Sequence, residues 1–377
     1  MKVLHVIPNY YPATGWGGPI TSTKAICDGL AAQPDVEVRV LTTNAASPAR
    51  GDRIDPTDLP YPVRYTRRIA GHSISPGLLA RLPAAIAWAD VVHLTATYNF
   101  PTLPTLMLAR MQGRPLVWSP RGALQATAEW AAAPRKGAKH QFERAAQLLR
   151  PQTTVLHVTA QSEAAASTDR LPGIETAVIP NCVAIPELGP PQRQPGSIRL
   201  LYLGRLHPKK GIERLFTAMA ALPAHVTLDV YGDGDTRYVA GLKQQARRYA
   251  GRIRLHGHVE GTMKRAAFQQ ADLCVLASYS ENFAMSVAEA LAHGVPVVTS
   301  TATPWQGLER EGCGRWVDLS QVTLADAIRS LLNKDLPAMG ARGRDWMIRD
   351  FSPEAMIDAF LTLYRGLLPP APNAVPA

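Results

Sequence analysis

Short apolar runs recur along this chain, each followed by a stretch in which apolar residues return every three or four positions. The first pattern suits a strand buried on both faces and the second an amphipathic helix, so the chain reads as successive strand–helix units building parallel sheets. Two such series are visible. The first predicts strands over 2–7, 36–42, 90–95, 115–119, 155–159 and 177–179, with a helix over 19–32 after a loop holding Gly15, Gly17 and Gly18. The stretch 181–197 (NCVAIPELGPPQRQPGS) is proline-rich, has no period and predicts a linker. The second series predicts strands over 198–203, 226–231, 253–255, 273–276 and 295–299, and helices over 212–222, 237–250, 264–270 and 284–293. Helices over 324–332, 339–349 and 353–367 follow, then a tail rich in proline and alanine. The expected fold class is α/β: Rossmann-like domains at 1–182 and 198–350, a linker at 183–197, a last helical segment at 351–368 and a tail at 369–377. Two such domains place a ligand in the cleft between them, at the carboxyl ends of the strands.

Composition narrows this little further. With 377 residues, 46% hydrophobic and 19% charged, the chain can bury a core without staples and is not a disordered polymer. Cys27, Cys182, Cys274 and Cys313 lie far apart with no CxxC pair, which predicts inert thiols in a reducing compartment. The opening MKVLHVIP is too short an apolar run for a signal peptide, and the best membrane-span candidate, 77–96, is broken by Arg81, Pro83 and Asp90. A cytoplasmic protein is expected.

Charge changes the picture more. There are 40 Lys+Arg against 30 Asp+Glu, a formal +10. Residues 64–150 alone hold 12 basic residues against 3 acidic ones, among them Arg64, Arg67, Arg68, Arg121, Arg135, Lys136, Lys139, Arg144 and Arg150. An anionic membrane surface or a phosphorylated substrate fits that window, and so does a plain solvated basic face. Nucleic acid fits least: there is no zinc-finger spacing, RNP-like strand or clear helix-turn-helix.

The segment Glu281-Asn282-Phe283-Ala284-Met285-Ser286-Val287-Ala288-Glu289 follows a predicted strand and opens a helix. The first backbone N–H groups of a helix are unpaired donors at a positive dipole end, suited to an anion. Glu281 at the entrance and Glu289 two turns inside would repel a phosphate but accept hydrogen bonds from sugar hydroxyls. The plain alternative is a helix-entry charge and an exposed helix residue. Gly204-Arg205-Leu206-His207-Pro208-Lys209-Lys210-Gly211 follows another strand. Gly204 permits close backbone approach, Arg205 offers a planar fork and Lys210 a mobile point charge, a set that reads as a phosphate loop or as a basic loop without a ligand. Gly232-Asp233-Gly234-Asp235 marks a tight turn at the same sheet edge. In the first half, His93 ends a strand, where it would line the cleft or be a satisfied strand histidine. Arg121 begins a post-strand loop, suited to phosphate or acceptor contact or to a structural ion pair. Trp130 with Arg135, Lys136, Lys139 and Arg144 suits a membrane interface or an ordinary amphipathic surface helix.

Together GRLHPKKGIERLF, YGDGD, LHGHV and SYSENFAMSVAEALAHGVPVVTS make the chain resemble, over nearly its whole length, the family-4 retaining glycosyltransferases of the two-domain GT-B fold. SPRGAL and IPN are similar to members that build bacterial surface polysaccharides of the exopolysaccharide and O-antigen type. The resemblance implies two Rossmann-like domains facing across a cleft, with the C-terminal helix packing back on the first. It implies that Arg205 and Lys210 bind the diphosphate of a GDP- or UDP-sugar, Glu289 the ribose and Glu281 the donor sugar. Asn282, Phe283 and Ala284 would present backbone N–H groups, Gly204 would close the phosphate loop, and His256 to Val259 would lie beside the base. Gly17 and Gly18 would approach from the other domain, where Arg121 and His93 are the acceptor-side candidates. Three positions depart from the family pattern. Ala284 replaces a glycine and is expected in the ordinary right-handed conformation, Arg121 replaces a histidine, and Cys182 and Ala184 replace the glycine and aspartate of IPNGVD.

The expected activity is hexose transfer with retention, by same-face attack in which the leaving phosphate takes the acceptor's proton. Cationic side chains stand in for a metal and no cofactor is expected beyond the donor. Asp233 and Asp235 match DxD formally but read as part of the glycine turn. The expected acceptor is a glycan, free or polyprenyl-diphosphate-linked, at the inner face of the cytoplasmic membrane; no nucleic acid is expected. The competing readings are a non-catalytic nucleotide-sugar or glycan-binding subunit and another GT-B enzyme such as a sugar-nucleotide epimerase or a phosphorylase.

Overall fold

The computed structural model describes residues 1–14, 18–46, 53–54, 57–71, 73–125, 136–189 and 196–369. The chain forms two units, Met1–Cys182 with Pro353–Ala377, and Val183–Ser352. In the first, β1 (Lys2–Asn9), β2 (Glu37–Thr43), β3 (Val63–Thr66), β4 (Val91–Thr95), β5 (Leu116–Ser119), β6 (Thr154–Val158) and β7 (Glu175–Val178) form a parallel sheet ordered β3-β2-β1-β4-β5-β6-β7. In the second, β8 (Ile198–Leu203), β9 (Val226–Tyr231), β10 (Ile253–Gly257), β11 (Leu273–Leu276), β12 (Val297–Ser300) and β13 (Gly314–Val317) are also parallel, ordered β10-β9-β8-β11-β12-β13. Each order reverses once, between β1 and β4 and between β8 and β11, the place where a doubly wound sheet opens a crevice at its strand ends.

Strands buried on both faces explain the near-continuous apolar runs. Along β1, Val3 and Ile7 point to one face and Leu4 and Val6 to the other, and all four are buried. Helices Pro76–Trp88, Thr102–Met111 and Lys136–Leu149 supply the layer that buries Leu4 and Val6, through Leu78, Leu82, Ile86, Leu106 and Ala146. The Val3 face is covered by helix Gly18–Ala31 and by the last helix, Pro353–Gly366, through Ile20, Ile26, Met356, Phe360 and Tyr364. Gly29 lets these two helices approach closely, since a Cβ there would fall 2.4 Å from Ile357 Cγ1. Helix Leu336–Phe351 belongs to the second unit, and the chain changes unit at an extended Ser352 (φ −67°, ψ 158°) followed by Pro353. A residue before proline is pushed out of the helical region, and proline opens the next helix at no hydrogen-bond cost.

Two strands lie outside the sequence expectation, β3 and β13. Both are four-residue edge strands (VRYT and GRWV) that leave Arg64 and Arg315 toward solvent, so neither carries an apolar run to betray it. The helix expected over 237–250 stops at Ala246, and a 3-10 turn Arg247–Tyr249 ends at Ala250 with φ 47°. The apolar stretch 77–96 divides between helix Pro76–Trp88 and β4, and no helix among the described residues is long and apolar enough to cross a membrane.

The buried Val3 face carries an unusual row. His5, His93, Ser119 and His157 sit on β1, β4, β5 and β6 beneath the last helix, all buried. The direction of their hydrogen bonds is fixed from one end. The Ile179 carbonyl can only accept, so His157 Nε2–H donates to it (2.9 Å). His157 is neutral, because burial and then the Arg121 charge hold its pKa down to about 3. Its Nδ1 therefore accepts from the Ser119 hydroxyl (2.6 Å). Ser119 in turn accepts from His93 Nε2–H (2.6 Å), which leaves His93 Nδ1 to accept the Tyr364 hydroxyl (2.5 Å). Burial lowers His93 well below the ordinary histidine value, and His5, stacked on it at 4.6 Å, is held down to about 3 by burial and by Arg121.

Histidines held neutral in the fold but free to protonate when unfolded make stability depend on pH. Their contribution is complete above the unfolded value near 6.5 and is lost as pH falls toward the folded values. Each costs on the order of 1 kcal/mol per pH unit in between. The melting temperature is expected to be flat from pH 8 to 7 and to fall between pH 6.5 and 5, before carboxylates titrate. An unchanged melting temperature down to pH 5, followed by scanning fluorimetry, would contradict the buried neutral row.

Candidate functional site

The loops after β8 and β11, the two strands at the switch point of the second sheet, hold the expected donor residues. After β8 the chain runs through Gly204 and Arg205 into a 3-10 turn, Pro208–Lys210, and then Gly211 (φ 65°) starts helix Ile212–Ala221. Gly211 has no substitute: a Cβ would fall 2.2 Å from the Ala277 carbonyl oxygen, in the loop after β11. The two loops are tied by Tyr279 N–H donating to the Lys209 carbonyl (2.8 Å). The Gly232–Asp235 turn braces the first of them, Leu206 N–H donating to the Asp233 carbonyl (2.7 Å). Asp233 accepts from Gly234 N–H, and Asp235 caps helix Thr236–Ala246, accepting from Arg237 and Tyr238 N–H; the DGD match is a turn and a cap.

Within this frame Lys210 Nζ meets Glu281 Oε1 at 2.5 Å, and the Ser278 hydroxyl donates to the same oxygen at 2.7 Å. Both partners are largely buried, the Glu281 side chain 9% exposed and that of Lys210 16%. Glu289, eight residues on, pairs with Lys264 Nζ at 2.6 Å. Arg205 is exposed, and its guanidinium makes no ion pair among the described residues. Phe283 faces the core against Trp305 (5.2 Å between rings), and its carbonyl accepts Trp305 Nε1–H (2.5 Å), so only its backbone is available to a ligand. Ala284 caps helix Met285–Ala292 with φ 64°, ψ 66°. This corrects the expected right-handed alanine: the loop imposes the left-handed conformation that glycine would take freely. His256 is fixed by Asp229 Oδ1 (2.7 Å), itself beside Arg199, and stacks flat on Tyr231 at 4.4 Å; Val259 is buried.

The structure thus brings Lys210 to Glu281 and puts Gly204, Arg205, Asn282, Phe283 and Ala284 in the same two loops, while Glu289 is held from the helix after β10. Gly18, His93 and Arg121 belong to the first unit, and Gly17 lies outside the described residues. Gly18 is the exposed first residue of its helix, its carbonyl accepting the Thr21 and Ser22 hydroxyls. His93 is a correction: as an interior member of the histidine row it has both nitrogens bonded within the protein and presents nothing to an acceptor. Arg121 turns inward at φ 55°, donating to Asn181 Oδ1 (3.0 Å), and burial lowers its pKa to about 10. Trp130, Arg135 and the Lys136 side chain lie outside the described residues; Lys139 sits over the Tyr98 ring at 5.1 Å and Arg144 is exposed. The sequence reading missed Lys264, Ser278 and Trp305. Only Ser278 had a signal, its place in the loop beside Glu281.

Residues 17–182 match the family model described as glycosyl transferase 4-like domain, and residues 197–334 that of glycosyl transferases group 1. The chain is similar to a phosphatidyl-myo-inositol mannosyltransferase of Mycobacterium leprae, 32% identical over 195 residues, 47% of this chain and 51% of the relative. It is similar to the lipopolysaccharide core biosynthesis glycosyltransferase LpsE of Rhizobium meliloti, 30% identical over 168 residues, 44% and 48% of the two. The chain spans about half the length of the curated relatives it matches. Among solved structures, Anabaena HepE with UDP and glucose aligns at TM-score 0.68 and 18% identity over 97% of this chain and 100% of its own. Sucrose-phosphate synthase of Thermosynechococcus elongatus aligns at 0.72 and 22%, over 97% and 98%. At these identities the likeness is one of fold, the GT-B fold of two Rossmann-like domains.

Ala284→Gly is expected to relieve the left-handed strain. Against the extra freedom glycine gains when unfolded, the net stabilisation is about 0.5–1 kcal/mol. Thermal or urea denaturation of the two proteins measures it, and a destabilised variant would refute the strain.

Proposed function

The chain belongs to the 4-like, group 1 glycosyl transferases, and on that premise we propose that it is a retaining, metal-independent hexosyltransferase. The donor is a nucleotide diphosphate sugar, GDP- or UDP-linked, and the acceptor a glycan, polyprenyl-diphosphate-linked or otherwise lipid-held. The observation that carries the reading is the pair of lysine–carboxylate contacts, Lys210–Glu281 and Lys264–Glu289, set beside the unpaired guanidinium of Arg205.

Each pair keeps its partly buried charges matched. An incoming diphosphate takes a share of Lys210 and all of Arg205, together with the backbone N–H groups at the start of helix Met285–Ala292, while the donor's hydroxyls take the remaining lone pairs of Glu281 and Glu289. As the bond from the anomeric carbon to the phosphate oxygen breaks, negative charge grows on that oxygen, where Lys210 and Arg205 are preorganised to stabilise it. The acceptor oxygen bonds to the anomeric carbon on the same face and gives its proton to the departing phosphate. Glu281 Oε1 accepts from both Lys210 and Ser278, which fixes the carboxylate in place beside the reacting sugar. It favours the oxocarbenium-like sugar. A lipid-held acceptor agrees with the phospholipid-named mannosyltransferase relatives and with the exposed Arg144 of helix Lys136–Leu149, which suits contact with the inner face of the cytoplasmic membrane.

Calorimetry with UDP, GDP and ADP tests the site. Lys210→Ala and Glu289→Ala are each expected to weaken the preferred diphosphate by about 1.5–3 kcal/mol, the worth of a hydrogen bond to a charged group. Glu281→Ala should lower turnover far more than binding. Unchanged affinity in both of the first two variants would remove the site assignment. The anomer of the product, read by NMR from a panel of donors, decides retention: an inverted product refutes the mechanism while leaving the site intact.

A further inference from the structure

We propose that the β10 margin of the second unit docks on the surface of an anionic lipid bilayer. Residues 236–265 hold eight Lys or Arg and one acidic residue, Glu260, whereas the rest of 183–352 holds thirteen basic residues against fifteen acidic ones. The positive excess of this unit therefore resides entirely in one thirty-residue stretch.

The topology gathers residues 236–257 at one border. β10 is an edge strand, paired with β9 alone, and helix Thr236–Ala246 and the turn Arg247–Tyr249 lead into it; helix Gly261–Gln270 then crosses back and packs on β8. Two of the eight cations are engaged: Arg252 donates to the Val226, Leu222 and Pro223 carbonyls, and Lys264 pairs with Glu289. Arg237, Lys243, Arg247, Arg248, Arg254 and Arg265 are exposed, and none forms an ion pair among the described residues.

Cations that lie against an anionic leaflet each add several-fold to its affinity. A single-stranded nucleic acid would need exposed aromatic faces for its bases, and the three tyrosines nearest this border do not supply them. Tyr231 is covered by His256, Tyr249 packs toward Phe216, and Tyr238 is half-buried. The inference deepens the membrane part of the function proposed above and places a contact on the other unit.

The test is co-sedimentation of the full chain with vesicles of phosphatidylcholine alone or mixed with phosphatidylglycerol, at low and high salt. Wild type is expected to prefer the phosphatidylglycerol vesicles at least tenfold and to lose that preference at high salt. K243Q/R247Q/R248Q/R254Q should partition at least tenfold more weakly, while R247K/R248K/R254K should bind as wild type does. Wild-type partition in the neutralised variant, or no binding by wild type, overturns the proposal. So does tighter binding of a single-stranded oligonucleotide than of vesicles, lost in the same variant. UDP and GDP calorimetry on these proteins reads the donor site separately, so failure of one reading does not disguise failure of the other.

Discussion

The buried hydrogen-bond row from Tyr364 to the Ile179 carbonyl is the constraint on which the first unit depends. A parallel sheet covered on both sides leaves no water for polar side chains, yet β1, β4 and β6 each bring a histidine to the same face. Every imidazole left unpaired there costs the full desolvation of its polar atoms. The row solves this for His93 and His157 by running donors in a single direction, and it needs one hydroxyl at its open end. That hydroxyl is Tyr364, which the chain delivers only after it has built the whole second unit. The first unit is thus assembled from both ends of the sequence, and the Ser352–Pro353 break is where the returning segment is cut free of the helix before it.

The second unit applies the same physics to charge. Its partly buried carboxylates are each matched by a neighbouring donor, Glu281 by Lys210 and Ser278, Glu289 by Lys264. Beneath them, Phe283, Trp305, Trp346 and Phe351 form an aromatic floor, with the Trp305 indole hydrogen-bonded to the Phe283 carbonyl. The floor fixes the backbone at 283 and forces the next residue into a left-handed turn even though that residue is alanine. Strain at a helix entrance survives only when the surroundings over-determine it.

Much of this was legible in the order of residues, for reasons that also explain what was not. The interior strands announce themselves because burial on both faces demands unbroken apolar runs, and loops at their carboxyl ends stand out by glycine and charge. Edge strands β3 and β13 escape because one side meets solvent and an arginine is tolerated there. The histidine row left a trace, the repeated VLHV of β1 and β6 and VVHL of β4. Reading it as a row requires the register His5↔His93, which pairs residues 88 positions apart. Lys264 and Glu289 are 25 residues apart on different helices, and nothing local couples them.

Charge shows most clearly how a count differs from a surface. The excess in 64–150 looked like the stronger patch, but several of its members are structural. Arg121 is turned inward to Asn181, Arg110 donates to the Leu148 carbonyl, Arg114 to Ala87, and Arg150 to Gln147. A guanidinium that holds a carbonyl contributes its field with fewer donors to spare, whereas Arg121 keeps a buried Nε and Nη2 with no hydrogen-bond partner among the described residues. The cations around β10 were the less conspicuous group in the sequence, because acidic residues elsewhere in the second unit dilute them. Arg237, Lys243, Arg247, Arg248 and Arg254 are exposed and form no ion pair among the described residues, and their position on or leading into an edge strand keeps them at the border of the unit. An anionic surface is met by donors that are both exposed and unpaired, and by that measure the smaller excess is the more available one.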